Sequence, residues 1–116
     1  MRAAALAAAL TLSLAAPALS ETRCGWVDNP TPGNWFLEDR HASWALGLQG
    51  ADLRNNWLDI EVPEFAGWVR TNGYYGYGCG CFEGSVNWQA REAAWIERVW
   101  SIPLSRCYGD PALPQR

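Results

Sequence analysis

The sequence predicts one mainly-β domain, a small and strongly bent antiparallel sheet or barrel of about five to seven strands tied by two disulfides. Three observations point there. Apolar runs with a period of two recur, as in Trp44, Leu46 and Leu48, which places alternate residues on one face of a strand. Turn chemistry separates the runs at Asn29-Pro-Thr-Pro-Gly-Asn34 and at Asn72-Gly73. Four cysteines, Cys24, Cys79, Cys81 and Cys107, all follow an N-terminal leader, and an even count in a small exported chain reads as a disulfide framework. An oligonucleotide/oligosaccharide-binding-like (OB-like) barrel is one architecture of this kind.

The leader comes first. Met1-Arg2 supplies a positive charge, Ala3 to Ala16 an apolar run, and Ala16-Pro-Ala-Leu-Ser20 small residues suited to cleavage after Ala18 or Ser20. That is the layout of a secretory signal peptide over residues 1–20, and the run is shorter than the roughly 20 residues a membrane span needs. Residues 21–116 then form the domain, destined for the periplasm or the exterior. No later apolar run suits a membrane span. The whole chain carries a formal charge of −3, and losing the leader removes Arg2 but no acid. A polyphosphate partner needs a basic face, so nucleic acid is disfavoured. There is no lysine; every cation is arginine.

Cys24 to Asp28 reads as the first strand, Asn29–Asn34 as a turn, Trp35 to Asp39 as the second strand, Arg40-His-Ala as a polar break and Ser43 to Gln49 as the third. Gly50 to Pro63 is less regular, with Leu58 and Ile60 alternating as in a short edge strand. Phe65 to Arg70 is the next strand, and Gly76 to Val86 the longest strand region. Residues 92–100 suit a strand or a short helix: Trp95, Ile96, Val99 and Trp100 share a helical face, yet the segment also fits the return arm of a hairpin. Pro103 ends it.

The segment Thr71-Asn-Gly-Tyr-Tyr-Gly-Tyr-Gly-Cys-Gly-Cys81 is the centre of this plan. On a strand, Tyr75, Tyr77, Cys79 and Cys81 share one side and Gly76, Gly78 and Gly80 the other. A glycine face lets a ring lie against the sheet, and Trp68 or Trp88 are the candidates to cover it. Residues i and i+2 of a strand sit roughly 6.6 Å apart with parallel side chains, near the upper limit for a bridge. Cys79 and Cys81 are therefore expected to pair each with one of Cys24 and Cys107. A zinc site would bring two short Cys-x2–4-Cys pairs, whereas here one pair is close and its spacer is a single residue.

Catalytic groups are scarce. Asp39, His41 and Ser43 fall within one short turn, too close in sequence to align nucleophile, base and orienter. Glu38/Asp39 and Asp59/Glu61/Glu64 read as solubilising charge at turns and an edge. Cys79-Gly-Cys81 lacks the two-residue spacer and the helix start of the common redox motif. No cofactor motif and no phosphate-binding glycine loop is present. Aromatics are abundant instead: eight tryptophans and four tyrosines, more than a domain of this size can hide. Exposed aromatic rims bind sugars, peptides or protein partners. The expected function is an exported, non-enzymatic binding or inhibitor module whose ligand is a cell-envelope glycan or a periplasmic protein. Its candidate surface is Asn29, Asn34, Asn72, Gly73, Tyr74 and Tyr75. The alternative is a thiol-redox or hydrolytic enzyme using Cys79/Cys81 or the Glu38-Asp39-His41 turn.

RCGW (Arg23–Trp26), NPTP (Asn29–Pro32), LQG (Leu48–Gly50), WVRTNGYYGYGCGC (Trp68–Cys81) and PLSRC (Pro103–Cys107) occur in that order. In these motifs, over nearly all of the exported part, the chain resembles a proteobacterial family of small exported proteins catalogued as a domain of unknown function. The resemblance implies export and the cysteine framework, inclines residues 92–100 towards a strand, and implies no activity.

Overall fold

The computed structural model describes residues 19–50 and 53–116, so the expected signal peptide lies, except for its last two residues, outside the described residues. Six strands form: β1 (Glu21–Thr31), β2 (Asn34–Glu38), β3 (Ser43–Gly47), β4 (Val69–Asn72), β5 (Tyr75–Asn87) and β6 (Glu92–Ser101). Their order is β1-β2-β3-β6-β5-β4, and β1 also pairs with β5, so five strands close into a ring with β4 added beside the start of β5. Closure matches the OB-like option in strand number and shape. All ladders are antiparallel except β3–β6, which is parallel and touches at Ala45↔Glu92, so the sheet is mixed rather than purely antiparallel.

The barrel interior is filled by Val27, Leu37, Trp44, Leu46, Phe65, Phe82, Ala93, Ile96 and Val99. Residues 92–100 are strand, and their helix-like spacing has a cause in the ladder. The inward residues of β6 are Ala93, Ile96 and Val99, three apart instead of two. The β5–β6 register shifts twice, between Glu83 and Gly84 and between Ser85 and Val86. Each shift leaves one extra residue on β6, Glu97 and Ala94, and so turns the period of two into three.

The minimal β3–β6 contact leaves backbone groups that the connection between β3 and β4 satisfies. Asn55 Nδ2 donates to the carbonyls of Leu46 and Ala93, bridging the two strands, at 3.0 Å each. Asn56 imitates a strand: its Nδ2 donates to Ile96 O at 2.6 Å and its Oδ1 accepts from Ile96 N at 2.9 Å. The expected edge strand at Leu58 and Ile60 is absent; Trp57–Asp59 is a 3-10 turn instead. Asn55 Oδ1 accepts from the Trp57 amide and so turns the chain, while the Trp57 ring lies against Gly47, where no side chain would fit.

A second apolar layer lies outside the ring. After Pro103, a short helix α1 (Leu104–Tyr108), which the sequence did not suggest, carries Cys107 over β5. Cys107 bonds Cys79, and Cys24 bonds its directly opposite strand partner Cys81. Trp26, Cys79, Cys107 and Leu113 form this outer cluster. The Trp26 indole donates to Pro114 O at 2.8 Å, and Arg116 stacks on Trp26 and Tyr77 while pairing with Asp28 and Glu38.

Candidate functional site

The glycine face of β5 builds the groove. Gly78 and Gly80 point inward, where Phe65 packs against both and Trp68 lies over Gly78. Trp68 is thus the ring that covers the glycines. Trp88 sits elsewhere, with its ring 4.8 Å from that of Trp44. Glycine lets Phe65 and Trp68 lie close to the sheet, and both rings pack beside Trp35. Ring centroids are 5.7 Å apart for Phe65–Trp68, 6.2 Å for Trp35–Trp68 and 5.6 Å for Trp35–Trp57. Together with Asn29, Pro63, Glu64 and Tyr74, the rings of Trp35, Phe65 and Trp68 line an open groove of about 360 Å³.

The β1–β2 turn and the β4–β5 hairpin bracket the groove, and they place the sequence-predicted residues unequally. Asn29 and Tyr74 line it. Asn29 is buried, and its Nδ2 donates to Thr31 O and Asn34 O at 3.0 and 2.9 Å, which fixes the amide. Asn34 holds the turn through Thr31 Oγ1 and the Gln49 amide. Gly73 has φ +60° and forms the hairpin loop with Tyr74, while Asn72 pairs with Tyr75 in the ladder. The loop is therefore Gly73-Tyr74, with glycine at the first central position, rather than Asn72-Gly73. Tyr74 is exposed, its carbonyl accepts from the Trp68 indole at 3.0 Å, and Arg70 lies over its ring at 4.8 Å. Asn34, Asn72, Gly73 and Tyr75 support the rim without lining the groove. Trp35, Pro63, Glu64, Phe65 and Trp68 are the lining residues the sequence did not single out as a binding site, Trp68 being expected only as a cover for the glycine face.

A second constellation gathers near the start of β1. Arg23, 7% exposed, lies over the rings of Trp44 and Trp88 at 4.6 and 5.1 Å and pairs with Asp39 at 2.9 Å and Glu21 at 2.7 Å. Burial alone would push the Asp39 carboxyl up. The amide of Ala42, the Arg23 guanidinium and the amide of His41 outweigh it and hold the carboxyl below its ordinary value. The Trp44 indole lies near enough to favour that charge, yet not in hydrogen-bond geometry. These partners commit Asp39 to the turn: it binds the backbone of His41, not its ring. Among the described residues no cysteine is free and no cluster of potential metal ligands occurs. Nor is any described helix long and apolar enough to cross a membrane.

A family model described as a protein of unknown function (DUF4087) matches residues 18–114. No curated protein and no solved structure matches the chain.

Proposed function

The chain belongs to the DUF4087 family of proteins of unknown function, and we propose that it is an exported, non-enzymatic binding module that seats a cell-envelope glycan or an envelope protein in the groove of Trp35, Phe65, Trp68 and Tyr74. The carrying observation is that groove. Three aromatic rings meet in one open groove and Tyr74 joins its lining, on a scaffold that two disulfides and a closed sheet hold rigid. Flat rings offer contact area at low entropy cost, and a rigid mount keeps them in place before the ligand arrives. The leader and the disulfides support an oxidising compartment outside the cytoplasm. The commitment of Asp39 and of all four cysteines to structural bonds favours binding over hydrolysis or thiol exchange.

The test is a pull-down from periplasmic extract, run beside a titration of tryptophan emission with soluble peptidoglycan fragments. Wild-type protein should retain a partner or show a saturable response, and Trp68→Ala should lose it while its melting stays cooperative. Capture that is indifferent to both Trp35→Ala and Trp68→Ala would refute the groove as the binding surface.

A further inference from the structure

We infer that the groove recognises a positively charged alkylammonium group on its ligand; the inference rests on the binding proposal above and names the chemistry of that same site. Two of the donors around the groove are already committed, while its acceptors are open. Trp68 Nε1–H is spent on Tyr74 O, and both hydrogens of Asn29 Nδ2 are spent on Thr31 O and Asn34 O. What Asn29 keeps is Oδ1, an acceptor with no partner among the described residues, on a side chain that is only 8% exposed and lines the groove. Glu64 adds a carboxylate that pairs with no cation among the described residues. The groove thus offers acceptors and negative charge between aromatic faces.

The rest of the molecule sharpens the contrast. Trp26, Trp44, Trp88 and Trp100 each carry an arginine over the ring, supplied by Arg116, Arg23, Arg91 or Arg98. At the rim, Arg70 stacks on Tyr74. Trp35, Phe65 and Trp68 carry none among the described residues, although they stand beside the one free carboxylate of the groove. A ring face is attractive to a cation within about 6 Å of its centre, and aromatic walls with an adjacent acceptor are the usual design for holding a weakly hydrated ammonium. A neutral sugar would also stack on these rings, and the Trp35 indole and Tyr74 hydroxyl, without partners among the described residues, are open to its hydroxyls, but it leaves the charge of Glu64 unanswered.

The test uses intact protein and tryptophan emission at constant ionic strength. The probes are tetramethylammonium and choline, with 3,3-dimethylbutan-1-ol as the uncharged shape mimic and a neutral chitooligosaccharide as the sugar. Saturable binding of the two ammonium ions is expected, with the uncharged mimic weaker by about tenfold or more. Glu64→Gln should weaken choline by about tenfold while leaving the mimic unchanged. Trp68→Ala should abolish the response, and Trp95→Ala, on the far strand β6, should preserve it. Equal affinity for the mimic, or a sugar response without an ammonium response, overturns the inference and leaves the binding proposal standing. Absence of both responses, together with capture from extract that Trp68→Ala does not change, overturns both.

Discussion

Replacing Gly78 with alanine tests the link between the glycine face and the groove. An added Cβ would stand 2.9 Å from Phe65 Cβ, closer than such atoms approach in folded proteins, and 3.0 Å from Trp68 Cε3, tighter than most such contacts. Phe65 is pinned in the core at 9% exposure, so the ring that can yield is Trp68, which is half-buried and opens to the groove. Overpacking of this kind costs about 1–3 kcal/mol. Removing a strand glycine returns about 0.5–1 kcal/mol through the unfolded chain, so the net loss is about 0–2.5 kcal/mol, centred near 1 kcal/mol. For a domain of this size a loss of about 1 kcal/mol lowers the melting temperature by roughly 4–8 °C. The emission of Trp68 should shift at the same time, because its ring slides towards water. Two neighbouring glycines act as controls. At Gly76 the added atom would meet the backbone carbonyl of Val69 at 1.8 Å, so alanine there should cost more and free β4 from β5. At Gly73 the space is open but φ is +60°, so alanine should cost about 1–2 kcal/mol and leave the groove emission alone. Calorimetry with parallel emission spectra distinguishes the three. A Gly78→Ala protein that melts within about one degree of wild type, with unchanged emission, would refute the account of how the groove is built.

The two bridges close loops of 57 and 28 residues, which the chain-entropy relation converts to about 4.2 and about 3.6 kcal/mol. Urea midpoints should therefore fall for both double serine variants, and Cys79→Ser/Cys107→Ser should in addition raise hydrogen exchange in α1. Asp39 has a lowered carboxyl pKa, so its contribution to stability is complete above its unfolded value and is lost as pH falls through the folded one. Acid unfolding below about pH 4 should be blunted in Asp39→Asn, and this variant should lose about 1.5–3 kcal/mol at neutral pH because Arg23 keeps only the exposed Glu21 as its anion. Asn56→Ala should cost about 2–4 kcal/mol by orphaning the amide and carbonyl of Ile96, and exchange at the Ile96 amide should accelerate.

The sheet was legible because its signals are local. Alternation at Trp44 and Leu46 matches a buried strand, and the parity of Tyr75 to Cys81 alone separates a glycine face from a cysteine face. From that parity came the cross-pairing of Cys79 and Cys81 and the expectation of a covering ring, for which Trp68 and Trp88 are equal candidates until the fold places Trp68 there. What escaped depends on pairings between distant segments. The bulges that space Ala93, Ile96 and Val99 by three exist only against β5, so the same residues taken alone suit a helix. The asparagines at 55 and 56 look like loop polarity until β3 and β6 are seen to meet at a single register. The short helix α1 has no periodicity to betray it in five residues, and the bond to Cys79 fixes where it lies.

The candidate surface divides along the same line. Asn29, Asn34, Asn72 and Gly73 are turn-forming residues, and turn chemistry marks loops, so it found the two connections that rim the groove. It could not rank them, because an asparagine that uses both its amide nitrogen and its amide oxygen within the protein and one that uses only its nitrogen have the same sequence signature. Asn34 spends both ends of its amide on Thr31 and Gln49, whereas Asn29 spends only its hydrogens. That single difference decides which of the two is available to a ligand. It also carries a consequence for mutagenesis: Asn29→Asp would keep an acceptor in the groove but lose both donations to the turn. Loss of binding in that variant would therefore be ambiguous. Glu64 supports no turn and no ion pair among the described residues, which makes Glu64→Gln the substitution that alters the charge of the groove with the least disturbance of its frame.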